Sequence, residues 1–435
     1  MQTPTYRKTS LPSGCNKSIC LHRLPTLRHG GRRGCLQIGC LWVAIGSAGM
    51  LGTSGNYTAY VVCHCIEAVG LRHFVSMAPI YGVECVTRQK RGMLISPYSI
   101  GSSLGVVVIS AVCLGTAKIL DNWAWKIPIV CQIPLSVLYA AGLMMFSESP
   151  RWLMVQGKEE EARKSFASFY NMDPASAVIT EQVDQVRTAI EFEKSISSTT
   201  SWTEIFHANN IRRTSIACAI TVSVSFSGLW LIAPYAALFL RGLGYTNPFL
   251  INVVFSVALF SGTTISPFIL EYIGRRLSML VGFSIMATCM LIFSSVSTAL
   301  GASNPSARSV LAAFICLWSV AFGIMIWNTQ WVASAEVHSM RLRTYGQVCA
   351  AVASSITTFA ASFWTPYMIN PDYGNMGTDV GYFYCGLTLV SIVVLFFVLP
   401  ETGRLSLEAI DGIFTSHRPA WKTSLQQNKV LAKGD

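Results

Sequence analysis

An all-α polytopic membrane protein is predicted by three features of the sequence. Of its 435 residues, 52% are hydrophobic and only 12% charged, against about 25% charged in soluble domains. The apolar residues gather into runs of near-bilayer length, about 20 residues each. One polar interval, residues 147–213, interrupts them near the middle and carries soluble-helix patterning. A chain arranged this way reads as two membrane bundles joined by a linker.

Four runs precede the interval: Gly34–Ser54, Ala59–Val83, Met93–Ala117 and Ile127–Phe146. Six follow it: Thr214–Leu240, Phe249–Leu270, Leu277–Ala299, Ser309–Ala335, Gly346–Ile369 and Val380–Leu399. The expected division is an atypical basic segment 1–33, a four-helix bundle 34–146, the linker 147–213, a six-helix bundle 214–400 and a tail 401–435. In the linker, Glu159–Tyr170 places Phe166 and Phe169 near one helix face, and Asp173-Pro174 reads as an N-cap opening a helix to about Lys194. Ser201-Trp-Thr-Glu204 fits a capping box.

The net charge of +11 does not indicate a nucleic-acid partner, because the basic residues sit in short clusters between apolar runs. When the spans alternate, Arg32-Arg33, Arg88/Lys90/Arg91, the linker, Arg275-Arg276, Arg341/Arg343 and the tail fall on one side. The positive-inside rule then predicts that both termini and the linker are cytosolic. The fourteen cysteines show no metal or redox spacing. No Ser/His/Asp, metal or phosphate-loop constellation occurs, so a non-enzyme without cofactors is expected.

The two halves echo each other. Glu84 with Arg91-Gly92 follows the second run, and Glu336 with Arg343 and Gly346 follows the eighth. Gly31-Arg32-Arg33 precedes the first run, and Gly274-Arg275-Arg276 lies between the sixth and seventh. Such repetition suggests duplicated bundles of the kind found in transporters. Arginine forks paired with carboxylates across the bundle interface would close one mouth of a central cavity. Ordinary topogenic charge would explain the arginines but not the repeated carboxylates. Within the second run, His64 and Glu67 share a helix face. They form either a structural pair or a proton relay.

Ser147–Leu153, SESPRWL, is similar to PESPRWL, a signature of the sugar-porter branch of the major facilitator superfamily, and further motifs resemble that branch too. Pro79-Ile-Tyr81-Gly-Val-Glu84 through Arg91-Gly92 is similar to P-x-Y-x-x-E…R-G, and Glu271-Tyr-Ile-Gly274-Arg275-Arg276 to D-x-x-G-R-R. Pro400-Glu401-Thr402 with Ser406-Leu407-Glu408 resembles the closing PET…SLE motif. Pro366-Tyr-Met-Ile-Asn-Pro371 looks most like fungal disaccharide permeases.

The resemblance implies the major facilitator fold with about ten of its twelve helices. In the family the first G-R-R motif follows the second span, whereas here it stands at 31–33, so a truncated N-terminal bundle is expected. It also implies alternating-access transport of a mono- or disaccharide or related polyol, with proton symport as one way to drive it. A transporter-like nutrient sensor or a non-transporting paralogue is the alternative. The implied partners are the sugar, a proton and the lipid bilayer, for a monomeric, multi-pass plasma-membrane protein.

The implied substrate-binding residues are Ser99, Ser225, Ser227, Trp230, Tyr235, Asn328 and Trp331. The implied gating charge cluster is Arg32, Arg33, Glu84, Arg91, Glu148, Arg151, Arg275, Arg276, Glu336, Arg343 and Glu401. Glu148 and Arg151 are expected to join Arg91 and Arg33 in one cluster. Several family amides are replaced, among them by Val224-Ser225 and Trp230, which points away from simple hexose recognition.

Overall fold

The computed structural model describes residues 31–53, 55–85, 91–197, 201–233, 248–300, 305–339, 342–370, 372–403, 405, 410, 412–414 and 419–431. The described residues hold ten helical segments long and apolar enough to cross a membrane, four before the linker and six after it.

The first half begins with α1 (Gly31–Gly52), which runs three residues further back than the apolar run because Arg32 and Arg33 are part of its first turn. A short turn leads to α2 (Tyr57–Glu84), where Asn56 caps the helix by accepting a hydrogen bond from the Ala59 amide at 3.1 Å. The two helices cross closely: a Cβ on Gly46 would stand 2.6 Å from the Glu67 nitrogen, and one on Gly70 2.6 Å from the Gly39 carbonyl oxygen. Helix α3 spans Arg91–Thr116. The fourth predicted span is two helices, α4 (Trp123–Val130) and α5 (Gln132–Met144). Pro134 explains the break, since it has no N–H to give the carbonyl four residues back.

In the linker α6 is Pro150–Val155, α7 Glu159–Tyr170 and α8 Ala177–Ser197. Phe166 is buried with Ile179 and Val183, and Phe169 meets Tyr81 of α2 edge-on at 6.4 Å. Asp173 does not cap α8 as the sequence suggested. Its carboxylate accepts from the Ala175 amide at 2.8 Å in a local turn, and Ser176 stands immediately before the helix instead. A short Asp side chain bonds its own neighbourhood as readily as a helix end. Ser201 and Glu204 do form the capping box, though it opens only the short 3₁₀ turn Trp202–Phe206.

The second half contains α9 (Ala208–Ser225), α10 (Pro248–Ile273), α11 (Arg275–Leu300), α12 (Pro305–Ala321), α13 (Thr329–Glu336), α14 (Arg343–Ile369) and α15 (Val380–Val398). After α9 the chain turns through Gly228 at φ 88°, and the Thr388 hydroxyl donates to the Phe226 carbonyl left open there at 3.2 Å. Between α12 and α13 the turn Phe322–Trp327 is π-helical. Gly262 of α10 and Gly323 of this turn let the backbones touch, since a Cβ on either would lie 2.8 Å from a carbonyl oxygen of the other helix. Most of the buried core lies in this half, around Phe283, Met286, Trp318, Phe322 and Tyr384. A final helix, α16, is Leu425–Leu431.

The halves meet where α3 packs along α10. Ser103 and Thr263 pair through their hydroxyls at 2.7 Å, and Ser110 and Ser256 at 2.8 Å, each set seven residues apart. Within the second half, α9 approaches α14 closely enough for the Thr221 hydroxyl to donate to the Ala350 carbonyl at 3.1 Å. The Cys218 and Cys349 sulfurs beside that contact are 3.9 Å apart, against about 2.05 Å in a disulfide. Oxidation of the membrane-embedded chain with copper–phenanthroline is expected to join these two peptides, as read by mass spectrometry. Recovery of only the two separate peptides would mean that α9 and α14 do not pack as described.

Candidate functional site

Charged residues gather at one end of both halves, and the same arrangement is built twice. In the first half the Glu148 carboxylate sits on the N-terminus of α1 and accepts from the amides of Arg32 at 2.8 Å and Arg33 at 3.0 Å. The Arg32 guanidinium turns to Glu84 at the end of α2, with contacts of 3.1 and 3.2 Å. Ser149, next to Glu148, donates its hydroxyl to the same Glu84 at 2.6 Å. The Arg33 side chain donates to the Phe146 carbonyl at 2.8 Å.

In the second half Glu401 sits on the N-terminus of α11 and accepts from the amides of Arg275 at 2.9 Å and Arg276 at 3.1 Å. Arg275 pairs with Glu336 at 3.1 Å, and Thr402, next to Glu401, donates to Glu336 at 2.6 Å. Arg276 donates to the Phe396 carbonyl at 2.9 Å. Gly31 and Gly274 precede the arginines at φ 68° and 86°. A Cβ on Gly274 would stand 2.6 Å from a Glu401 carboxylate oxygen, and one on Gly31 would collide with Glu148. Glycine is required at both places by backbone conformation and by the close seat of the anion.

Two readings of the sequence change here. The described ion pairs of the cluster, Arg32–Glu84 and Arg275–Glu336, lie within each half and do not bridge the bundles. Glu148 reaches Arg32 and Arg33 through their backbone amides, so its role is that of a helix cap delivered from a distance of over a hundred residues. The reason is geometric: an Arg side chain in the first turn of a helix reaches sideways to a neighbour, while its amide points along the axis. The side chain of Arg91 lies outside the described residues, and Arg151 and Arg343 are half-buried near the same end.

Sequence reasoning passed over the hydroxyls Ser149 and Thr402 and the tail. The signal was present, because both halves carry an acid followed by a hydroxyl residue, Glu148-Ser149 and Glu401-Thr402. The tail folds onto Glu401: its amide donates to Thr423 at 2.8 Å, and Asn428 donates to the Glu401 and Gly403 carbonyls at 3.1 Å each.

The residues named for substrate binding differ in burial and in hydrogen-bond partners. Ser99 is buried on α3. Ser225 shares its hydroxyl with Thr358 at 3.1 Å and Thr357 at 3.2 Å on α14, while Ser227 donates to the Val224 carbonyl at 2.7 Å. Trp230 is half-buried, Trp331 is 43% exposed, and Tyr235 lies outside the described residues. Asn328 differs from these. It directly follows the π turn, is 6% exposed, and neither end of its amide has a hydrogen-bond partner among the described residues. An amide buried this way costs about 1–3 kcal/mol, and π turns recur at functional sites. On α2, His64 Nδ1 and Glu67 Oε2 are 3.0 Å apart, with Glu67 buried at 3% exposure and His64 open.

Glu401 accepts from the amides of Arg275, Arg276 and Gly403. Replacing it with Ala leaves these donors without their acceptor and is expected to cost about 2–4 kcal/mol. The measurement is the thermal unfolding midpoint of the purified protein in detergent. An unchanged midpoint would mean that the carboxylate is not structural.

Comparison with known proteins agrees with this architecture. The family described as "Sugar (and other) transporter" matches residues 25–414. The high-affinity fructose transporter ght6 of Schizosaccharomyces pombe is 27% identical, over 94% of this chain and 77% of its own. The high glucose sensor RGT2 of Saccharomyces cerevisiae is 27% identical over 87% of this chain, which spans only 50% of that relative. The inward-open xylose transporter XylE from E. coli superposes with a TM-score of 0.74 at 17% identity, covering 89% of this chain and 84% of XylE. XylE described as a proton:xylose symporter, bound to 6-bromo-6-deoxy-D-glucose, gives 0.71 at 18% identity over the same shares. These likenesses identify the major facilitator fold. The chain therefore belongs to the sugar transporter family of multi-pass membrane proteins.

Proposed function

We propose that this chain moves a sugar across the membrane by alternating access. The observation that carries the reading is the repeated brace, in which an Arg-Arg helix start, a carboxylate cap and a second carboxylate recur once in each half. Each half is thereby stiffened within itself, as rigid-body rocking of two bundles requires. In this reading residues 34–146 and 214–400 are the moving bundles, 147–213 the linker, and 1–33 and 401–435 the flanking segments. Charge asymmetry supports a cytosolic location for the braced end and both termini; in this reading the chain is a monomer of the plasma membrane.

The sugar would be held between the halves by Asn328, Trp331, Ser99, Ser225, Ser227, Trp230 and Tyr235. The Asn328 amide, without a hydrogen-bond partner among the described residues, supplies both a donor and an acceptor, which is what sugar hydroxyls need. Arg91, Arg151 and Arg343 would complete the gating charges around the two braces. His64 and Glu67 would carry a proton if transport is coupled to one. The RGT2 relative favours one second reading, a nutrient sensor that binds sugar without moving it.

The test is uptake of labelled glucose, fructose and maltose by a hexose-transport-null yeast strain producing the chain. Uptake of at least one sugar is expected. Asn328→Ala is expected to reduce it about tenfold, in line with loss of one to two hydrogen bonds. Normal surface delivery with no uptake of any sugar would overturn the transport reading in favour of the sensor.

A further inference from the structure

Two residues beyond Glu336, in the connection from α13 to α14, His338 is only 3% exposed. Its Nε2 is buried and has no hydrogen-bond partner among the described residues. Gly346 of α14 lies against the ring so closely that a Cβ there would fall inside the imidazole. The junction is therefore moulded on this side chain.

The charges facing the ring are mostly positive. Arg213 of α9 is itself buried; its guanidinium donates to the Val337 carbonyl at 3.4 Å and lies 4.4 Å from the centre of the Phe414 ring. Arg212 lies 5.6 Å from that same ring. Arg343, the first residue of α14, adds a second charge that acts on the imidazole, as Arg213 does. The carboxylate nearest in sequence, Glu336 of α13, is engaged by Arg275 and Thr402. A neutral imidazole suits this place. An imidazolium would hold an N–H with no acceptor beside two guanidinium groups.

We propose that His338 is a proton-binding site that controls the junction of α9, α13 and α14: the neutral ring seals it, and a bound proton drives the ring out toward water and loosens it. Burial first, and then the charges of Arg213 and Arg343, pull the His338 pKa down from 6.5 to about 4. The packed junction is thus fully favoured above pH 6.5. Below that pH it loses about a factor of ten per pH unit relative to the opened one, until the pH reaches the depressed value. Only the source of the proton, the cytosol, rests on the orientation proposed above.

Cys218 and Cys349 lie a few residues deeper on α9 and α14 and report on the junction without any substrate. The full chain in liposomes is treated with N-ethylmaleimide at pH 7.5 and 5.5, and the modified peptides are quantified by mass spectrometry for the wild type and His338→Gln. Comparing the two proteins at each pH removes the pH dependence of the thiol reaction itself. At pH 7.5 the proteins are expected to label alike, and at pH 5.5 the wild type to label severalfold faster, approaching about tenfold for one pH unit below 6.5. Arg213→Gln is expected to diminish the acid response by removing one facing cation. A labelling ratio that does not change with pH overturns the proposal. If His338→Gln does not fold, His338→Asn serves in the same comparison. Because no sugar is used, a failure here is separate from a failure of the transport reading.

Discussion

A helix that begins Gly-Arg-Arg places two cations at the end where its own dipole is already positive, so it requires an anion there. The chain meets that requirement with a carboxylate brought from far along the sequence, Glu148 for α1 and Glu401 for α11. Charge-assisted bonds from two amides satisfy donors that a helix start leaves open. Once the anion is seated, the arginine side chains are free to turn outward. Arg32 and Arg275 then fasten the following helices through Glu84 and Glu336. Removing the carboxylate would leave open amides and clustered cations together, which is why the rest of the charged end depends on it.

The two caps come from different sources, which ties distinct parts of the chain to the membrane bundles. Glu148 belongs to the entrance of the linker, and Ser165 of α7 donates to its carbonyl at 2.6 Å. Glu401 belongs to the exit from α15, and the tail closes over it through Thr423 and Asn428. The polar segments are thus joined to the helix ends and are not hung loosely below them. The His338 junction follows two residues after Glu336, which Arg275 and Thr402 hold beside the second cap.

Much of the fold was legible because bilayer length and charge asymmetry are coarse signals that survive local irregularity. Ten apolar runs correspond to the ten helical spans among the described residues. The brace residues were legible as well, since glycine, arginine and glutamate at fixed offsets leave few alternatives. What they touch was not legible, because the sequence does not tell whether an arginine acts through its amide or its guanidinium. The breaks at Cys131, Phe226–Gly228 and Phe322–Trp327 were hidden for another reason: apolar composition continues through them unchanged. Cys218 and Cys349 meet from 131 positions apart, and only helix packing brings such a pair together.

The π turn at Phe322–Trp327 amounts to one residue more than a regular helix would hold. Every side chain after it is rotated by about 100° relative to an uninterrupted α-helix. Asn328, Trp331 and Glu336 owe their bearing to that surplus residue. A helical wheel drawn from Ser309 onward would therefore assign these three to the wrong faces, while one drawn backward from Glu336 would misplace Trp318. The span behaves as two wheels out of phase: the one before the turn is keyed to the apolar core, the one after it to the polar groups. Deleting a single residue between Phe322 and Trp327 would restore perfect helical regularity and, by doing so, turn Glu336 away from Arg275.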